Sequence, residues 1–436
     1  MDYTSKFISL EQALSMVKSN DYIVTGLGAA EAGAFMGALH TIAPRVRNVT
    51  LTDCLPLHPA EFRGARYRDS FRVDSWFYSG VERQARKEGG SVSFIPNHLR
   101  QAGVRWLAHR IPNLYVGAAT MPDKHGYVSL SCSNIYEKRM LEAADLVILE
   151  VNPNMPFTLG DLQVPVSDVD YMVRVDYPVP ELISPPLGAR DRAIGKFIAD
   201  MVPDASCIQL GIGSIPNAVA EALKTKNDLG LHTEMLTTGM MELARLGVLT
   251  GKYKQAERGK LVAAFAVGTR ELYDFIDLNP GVAIMDGNWV NDPYVISRND
   301  NQVSINTALE VDLTGQCASE SLGSRQFSGT GGQAETAMGA QRSRGGKSII
   351  ALYSTAMVKG PDGVRREVSK IVPQLMAGAA VSLSRNDVDR VVTEYGVAAL
   401  KGRTLRQRAR ALIEIAHPDF RDGLKAEYEK RFHCKY

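Results

Sequence analysis

Glu234 stands near the end of the apolar run Leu229-Gly230-Leu231-His232-Thr233-Glu234-Met235, shortly after the turn Gly211-Ile212-Gly213. That turn follows the strand-like run Cys207-Ile208-Gln209-Leu210 and precedes a helix-like segment from Ala218 to Leu223. A strand entering Gly-x-Gly and then a helix leaves backbone N–H groups bare at a helix N-terminus, where they stabilise developing negative charge. A strand would carry Glu234 to the rim of a parallel sheet, where ligands collect in open α/β folds. An oxyanion cradle followed by a lone carboxylate points to acyl chemistry with the carboxylate as nucleophile.

A second glycine cluster, Phe327-Ser328-Gly329-Thr330-Gly331-Gly332-Gln333, lets the backbone approach a ligand closely and present its N–H groups. Two other glutamates compete with Glu234: Glu320, and Glu394, which follows Val391-Val392 and reads as pocket-lining. Glu61, at the start of an arginine-rich aromatic stretch, is a candidate for a substrate pocket together with its neighbours.

Other chemistries are poorly supported. A dinucleotide fingerprint needs a third glycine where this chain has Glu31 after one turn and Pro216 after the other. A phosphate-binding P-loop ending at Lys347-Ser348 would need glycine at Gln341. The histidines form no metal-ligand pair, so no metal is expected, and His98 and His232 read as structural. No Gly-x-Ser-x-Gly elbow is present.

The elements that must position these residues alternate between strand and helix. Asp21 to Thr25, Val49 to Thr52, Val92 to Pro96, Leu114 to Ala119, Tyr127 to Cys132 and Asp145 to Val151 read as strands, with helices between several of them. This pattern predicts an α/β fold with mainly parallel sheets covered on both faces. Residues 152–188 are rich in Pro and Gly and read as a linker. The stretch Asp21 to Glu31, with Gly26-Leu27-Gly28, resembles Ser206 to Pro216, and helices flank both. A duplicated α/β domain is expected, 1–188 and 189–436, with the active site between the copies.

With 436 residues the chain is long enough for two domains of about 200 residues each. A net charge of +2 with scattered Lys and Arg gives no case for nucleic acid. The five cysteines show no CxxC spacing, which suits a reducing compartment. No window is long and apolar enough to span a bilayer, and no leader is evident, so a soluble cytoplasmic protein is expected.

The runs ILEVNPNMPFTLGD, LGIGSIPNAV, GLHTEM, GTRELYDF, VSINTALEVDLTGQ, SGTGGQ and VVTEYGVAALKGRTLRQRARALIEIAHPDF span nearly the whole chain. With them the chain resembles the acetyl-CoA hydrolase/transferase family of class I CoA-transferases, nearest to the 4-hydroxybutyrate and butyryl-CoA:acetate enzymes. The resemblance implies two similar open α/β domains with the site at their interface. It places the catalytic glutamate on Glu234, the oxyanion turn on Gly211-Ile212-Gly213, the second glycine loop on Gly331-Gly332, and acyl- and CoA-contacting residues on Asn306 and Glu394. Relatives usually carry a Gly-Glu-Pro-like turn on the substrate side where this chain has Ala30-Glu31-Ala32, which leaves acyl specificity open.

The implied reaction is ping-pong transfer of CoA through a glutamyl-CoA thioester. It would run between a short-chain acyl-CoA (acetyl, butyryl or succinyl) and a free acid such as 4-hydroxybutyrate, butyrate or itaconate. Coenzyme A thioester is then a substrate and no cofactor is permanently bound. A homodimer or homotetramer is the family expectation. Two alternatives stay open: an acyl-CoA hydrolase using the same glutamate, and an inactive CoA-binding subunit.

Overall fold

The computed structural model describes residues 3–360 and 362–436. Aliphatic and β-branched runs become strands β1 Tyr22–Thr25, β2 Val49–Asp53, β3 Phe71–Ser75, β4 Val92–Phe94, β5 Leu114–Ala119, β6 Leu146–Val151 and β7 Tyr171–Arg174. They form one all-parallel sheet in the order β4-β3-β2-β1-β5-β6-β7. β1, β2 and β5 are buried throughout, as strands covered on both faces must be.

The second half repeats that order. Its strands are β8 Cys207–Leu210, β9 Gly230–Leu231, β10 Leu261–Ala263, β11 Val282–Ile284, β12 Gln302–Thr307, β13 Lys347–Ala351, β14 Arg390–Thr393 and β15 Gly396–Ala399. β8 lies between β9 and β12, followed outward by β13, β14 and β15, with the β14–β15 pair antiparallel. On the other side β10 pairs with β11 in parallel, and the bridge His232↔Val262 joins that pair to the β9 end. The order β11-β10-β9-β8-β12-β13-β14 therefore matches that of β4 through β7. The two Gly-x-Gly turns follow the equivalent strands β1 and β8.

Residues 175–188 form neither helix nor strand and connect the two sheets. The helix Ala189–Asp200 starts directly after them. One continuous apolar core runs through both halves, taking in Val24 and Leu149 from the first sheet and Ile208 and Ile305 from the second. Burying each such aliphatic side chain stabilises the fold by about 1.5–3 kcal/mol. The halves thus present a fixed cleft to solvent rather than two loosely tethered units. Among the described residues no helix is long and apolar enough to cross a membrane.

Two local differences from the sequence reading matter for the site. The run Leu229 to Met235 is not one strand: β9 stops at Leu231, and Met235–Leu236 pairs separately with Phe265–Ala266. The chain leaves the sheet because Thr233 Oγ1 bonds Leu210 O at 3.2 Å and the Glu234 carbonyl accepts two amides, Ala264 N at 2.9 Å and Phe265 N at 3.1 Å. Tyr127–Ser129 forms an antiparallel pair with Gln163–Pro165 outside the main sheet.

Candidate active site

The carboxyl ends of β1, β2 and β3 face those of β8 and β12 across a cleft of about 850 Å³. The first half lines it with Leu27, Cys54, Leu55, Phe77 and Leu99. The second half contributes Gly211, Ile212, Glu234, Asn306 and the loop Ser328 to Gly332, with Gln209 and Gln333 behind. Glu234 is the one charged side chain lining it among the described residues.

Glu234 is held on every side. Its backbone carbonyl is fixed as described, and Asn291 Nδ2 donates to Oε2. Gly331 adopts φ +56°, and a Cβ there would sit 3.4 Å from Oε1. A Cβ on Gly332 would overlap both Oε2 and the Asn291 amide, so only glycine lets the loop close over the carboxylate. Burial pushes the Glu234 pKa up to about 7, and the Asn291 hydrogen bond pulls it partway back. Behind it Glu335 is raised to about 8, first by burial and then by the Glu234 charge, although Arg100 Nε lies 2.7 Å away. His232 Nε2 meets the Val290 carbonyl at 2.7 Å, and burial lowers its pKa to about 3, so the ring is a neutral brace for this segment.

The two Gly-x-Gly turns differ in what their amides do. Leu27 N in the first donates to Glu137 Oε1 at 2.8 Å, so a buried carboxylate already occupies that cradle. In the second, the amides of Ile212 and Gly213 meet no protein acceptor among the described residues, and neither do those of Gly331 and Gly332. These are the groups free to meet a developing oxyanion. Asn306 also faces the cleft, its amide fixed by Ser304 Oγ at 2.9 Å and Thr336 Oγ1 at 3.0 Å.

The structure thus gathers Glu234, Gly211, Ile212, Asn306, Gly329, Gly331 and Gly332 around one cleft. Gly213, with φ +111°, caps the helix Ser214–Ala222 at the rim, outside the lining. Three of the glutamates singled out from the sequence lie outside the lining of this cleft. Glu31 is buried behind the sheet, 3.1 Å from Arg63 Nη2, because this buried guanidinium gathers Glu31, Asp53 and Glu82. Glu61 points to solvent with its side chain 67% exposed, since its turn spends its buried positions on Phe62 and Arg63. Glu394 is bound by Arg190 Nε at 2.7 Å and by the Ser354 amide and hydroxyl at 2.9 and 2.8 Å, which keeps it off the cleft wall. The rival Glu320 braces the glycine loop instead, accepting from Thr330 Oγ1 at 2.6 Å.

Sequence reasoning missed Asn291, Gln209 and the wall residues Leu55 and Leu99. Phe77 was visible only as one of several aromatics. No local pattern marks Asn291, which follows the four-residue helix Gly287–Val290.

Known proteins resemble the chain along its whole length. The sequence model of the acetyl-CoA hydrolase/transferase N-terminal domain matches residues 1–183, and that of its C-terminal domain matches residues 268–428. The chain is 43% identical to the 4-hydroxybutyrate coenzyme A transferase of Clostridium kluyveri over 99% of both chains. It is 42% identical to the succinyl-CoA:cyclohexane-1-carboxylate CoA transferase of Geobacter metallireducens, over 97% of this chain and 95% of that one. The crystal structure of RipA from Yersinia pestis superposes with a TM-score of 0.91 at 35% identity, covering 99% of this chain and all of the other (100%). Fold and relatives define the protein as a CoA-transferase. The chain belongs to the acetyl-CoA hydrolase/transferase family.

Proposed function

We propose that the protein moves CoA between a short-chain acyl-CoA and a free carboxylic acid through a thioester on Glu234. Acids of the size of butyrate, 4-hydroxybutyrate or itaconate are the candidate acceptors, with acetyl-, butyryl- or succinyl-CoA as donors. The observation that carries this reading is the placement of one half-buried carboxylate between free glycine amides and the Asn291 donor, in a cleft that no other charged side chain lines among the described residues.

A Glu234 oxygen attacks the thioester carbonyl, and the tetrahedral oxyanion is met by the open amides near Ile212 and Gly331. Collapse expels CoA thiolate and leaves an acyl-glutamyl anhydride. The thiolate then attacks the side-chain carbonyl carbon of Glu234, the free acid departs, and glutamyl-CoA remains. In this second addition the oxyanion develops on Glu234 itself, at the oxygen Asn291 already contacts. A new carboxylate reverses the sequence and leaves as its CoA ester. Anhydride and thioester are comparably reactive, so no intermediate becomes a deep trap. Gripping the remote part of CoA supplies binding energy to the chemical step.

Glu234→Ala is expected to abolish transfer while CoA still binds; substantial residual turnover excludes the mechanism. Release of free CoA measured with and without added carboxylate separates transfer from hydrolysis. Carboxylate-dependent exchange with little free CoA is the expected result.

A further inference from the structure

The two cleft walls differ in polarity, and only the second carries side-chain amides. Every lining residue from the first half is apolar or a thiol: Leu27, Cys54, Leu55, Phe77 and Leu99. The facing wall mixes apolar side chains (Leu210, Ile212, Met235, Phe265) with side-chain amides and hydroxyls, Gln209, Asn306, Ser319 and Gln333 among them. The pantetheine arm of CoA carries two amides and matches the second wall, so the acyl chain is left to the first. No Lys, Arg or His lines the cleft among the described residues. Two nearby guanidinium groups are already committed. Arg83 Nη1 donates to the Phe327 carbonyl at 2.7 Å and stacks on that ring, while Arg100 pairs with Glu335 and with Asp292 at 3.6 Å.

Leu55 adds a second, independent observation. It holds φ +51°, a conformation that side-chain-bearing residues rarely adopt, and is pinned there by its amide donating to the Phe77 carbonyl at 2.9 Å. Such strain persists where the surrounding structure enforces it, commonly at ligand clamps. Here it sets two large apolar side chains, Leu55 and Phe77, side by side on the acyl wall.

We propose that this site takes acids whose acyl chain carries no charge, excludes dicarboxylates, and measures chain length against Leu55 and Phe77. This rests on the CoA-transfer reading above. A second carboxylate on the chain would be desolvated against apolar carbon with no cation to pair it, in the same cleft as the Glu234 charge. Itaconate drops out of the candidate acceptors and succinyl-CoA out of the candidate donors, since the succinyl chain would bring its free carboxylate into the same site; butyrate-like and hydroxylated monocarboxylates remain.

The test compares acceptors under one donor, acetyl-CoA: monocarboxylates from propionate to octanoate against succinate, glutarate and itaconate. The kcat/KM of the best monocarboxylate should exceed that of a length-matched dicarboxylate by at least about tenfold, the discrimination expected of an unpaired buried charge. Leu55→Gly relieves the backbone strain, so it folds, and should move the preferred acid to longer chains. Leu55→Arg supplies the missing cation and should raise succinate use relative to butyrate. Equal use of succinate and butyrate by the unaltered protein overturns the charge exclusion. An unmoved length optimum in a folded Leu55→Gly protein overturns the role of Leu55. Failure of every acid, with no CoA attached to Glu234 after acyl-CoA addition, sinks the underlying transfer reading instead.

Discussion

The Asn291 side-chain amide donates to Oε2 of Glu234, and the Gly332 backbone lies against both groups so closely that a single methyl would strike each of them. In the proposed mechanism Glu234 is therefore more than a nucleophile beside an oxyanion hole. It is itself a carbonyl-to-be with its own donor already in place. Asn291→Ala should lower kcat by about 10²–10³-fold, the usual cost of an oxyanion donor, with little change in KM for acyl-CoA. Steady-state kinetics check this; a KM effect alone would make Asn291 a binding residue.

Gly332→Ala should be nearly inactive yet folded, because the added carbon collides with the Glu234 carboxylate and the Asn291 amide rather than with the core. Circular dichroism and a transfer assay on the same sample decide between a displaced nucleophile and a misfolded protein. Full activity would mean that the loop stands further from Glu234 than described.

In the proposed mechanism the reactive form of Glu234 is the carboxylate, and burial raises its pKa to about 7. The single-turnover rate of its acylation should rise about tenfold per pH unit below that value and level off above it. The stability consequence has the opposite sign. A folded-state pKa above the unfolded one gives a contribution fully present below the unfolded value and lost as pH rises through the folded one. Relative to Glu234→Gln, the unaltered protein should lose thermal stability between pH 5 and pH 8. A constant difference in melting temperature would show that the carboxylate is not desolvated.

Much of the site was legible from local pattern alone. Glu234, Gly211, Ile212, Gly329, Gly331 and Gly332 all sit at strand ends or in glycine loops, and such features are written in consecutive residues. So was the strand–helix alternation, and the echo between the two Gly-x-Gly turns. Hidden were the long-range pairings. Whether a glutamate beside an apolar run reaches a ligand depends on the cations the fold brings to it. Arg63 claims Glu31, and Arg190 claims Glu394. The same limit applies to the first Gly-x-Gly turn, whose Leu27 amide is taken up by Glu137. Asn291 and Leu55 reach the cleft only through tertiary packing, and neither carries a pattern in its neighbours.

Arg63 is a buried cation among three carboxylates, Glu31, Asp53 and Glu82. Arg63→Ala should destabilise the first half by about 3–5 kcal/mol, since it strands buried acids without a partner. Thermal denaturation should show a clear fall in midpoint, steeper at high pH where the stranded acids must ionise. An unchanged midpoint would mean that these acids are already protonated and need no partner.

The central claim is covalent, so the most direct test is to catch the bond. The protein is incubated with acyl-CoA without acceptor acid, digested at low pH and examined by mass spectrometry. CoA should be found on the peptide containing Glu234 and be released when a carboxylic acid is supplied. CoA on a peptide carrying Glu320 or Glu394 instead, or turnover with no adduct at any point, would contradict the account.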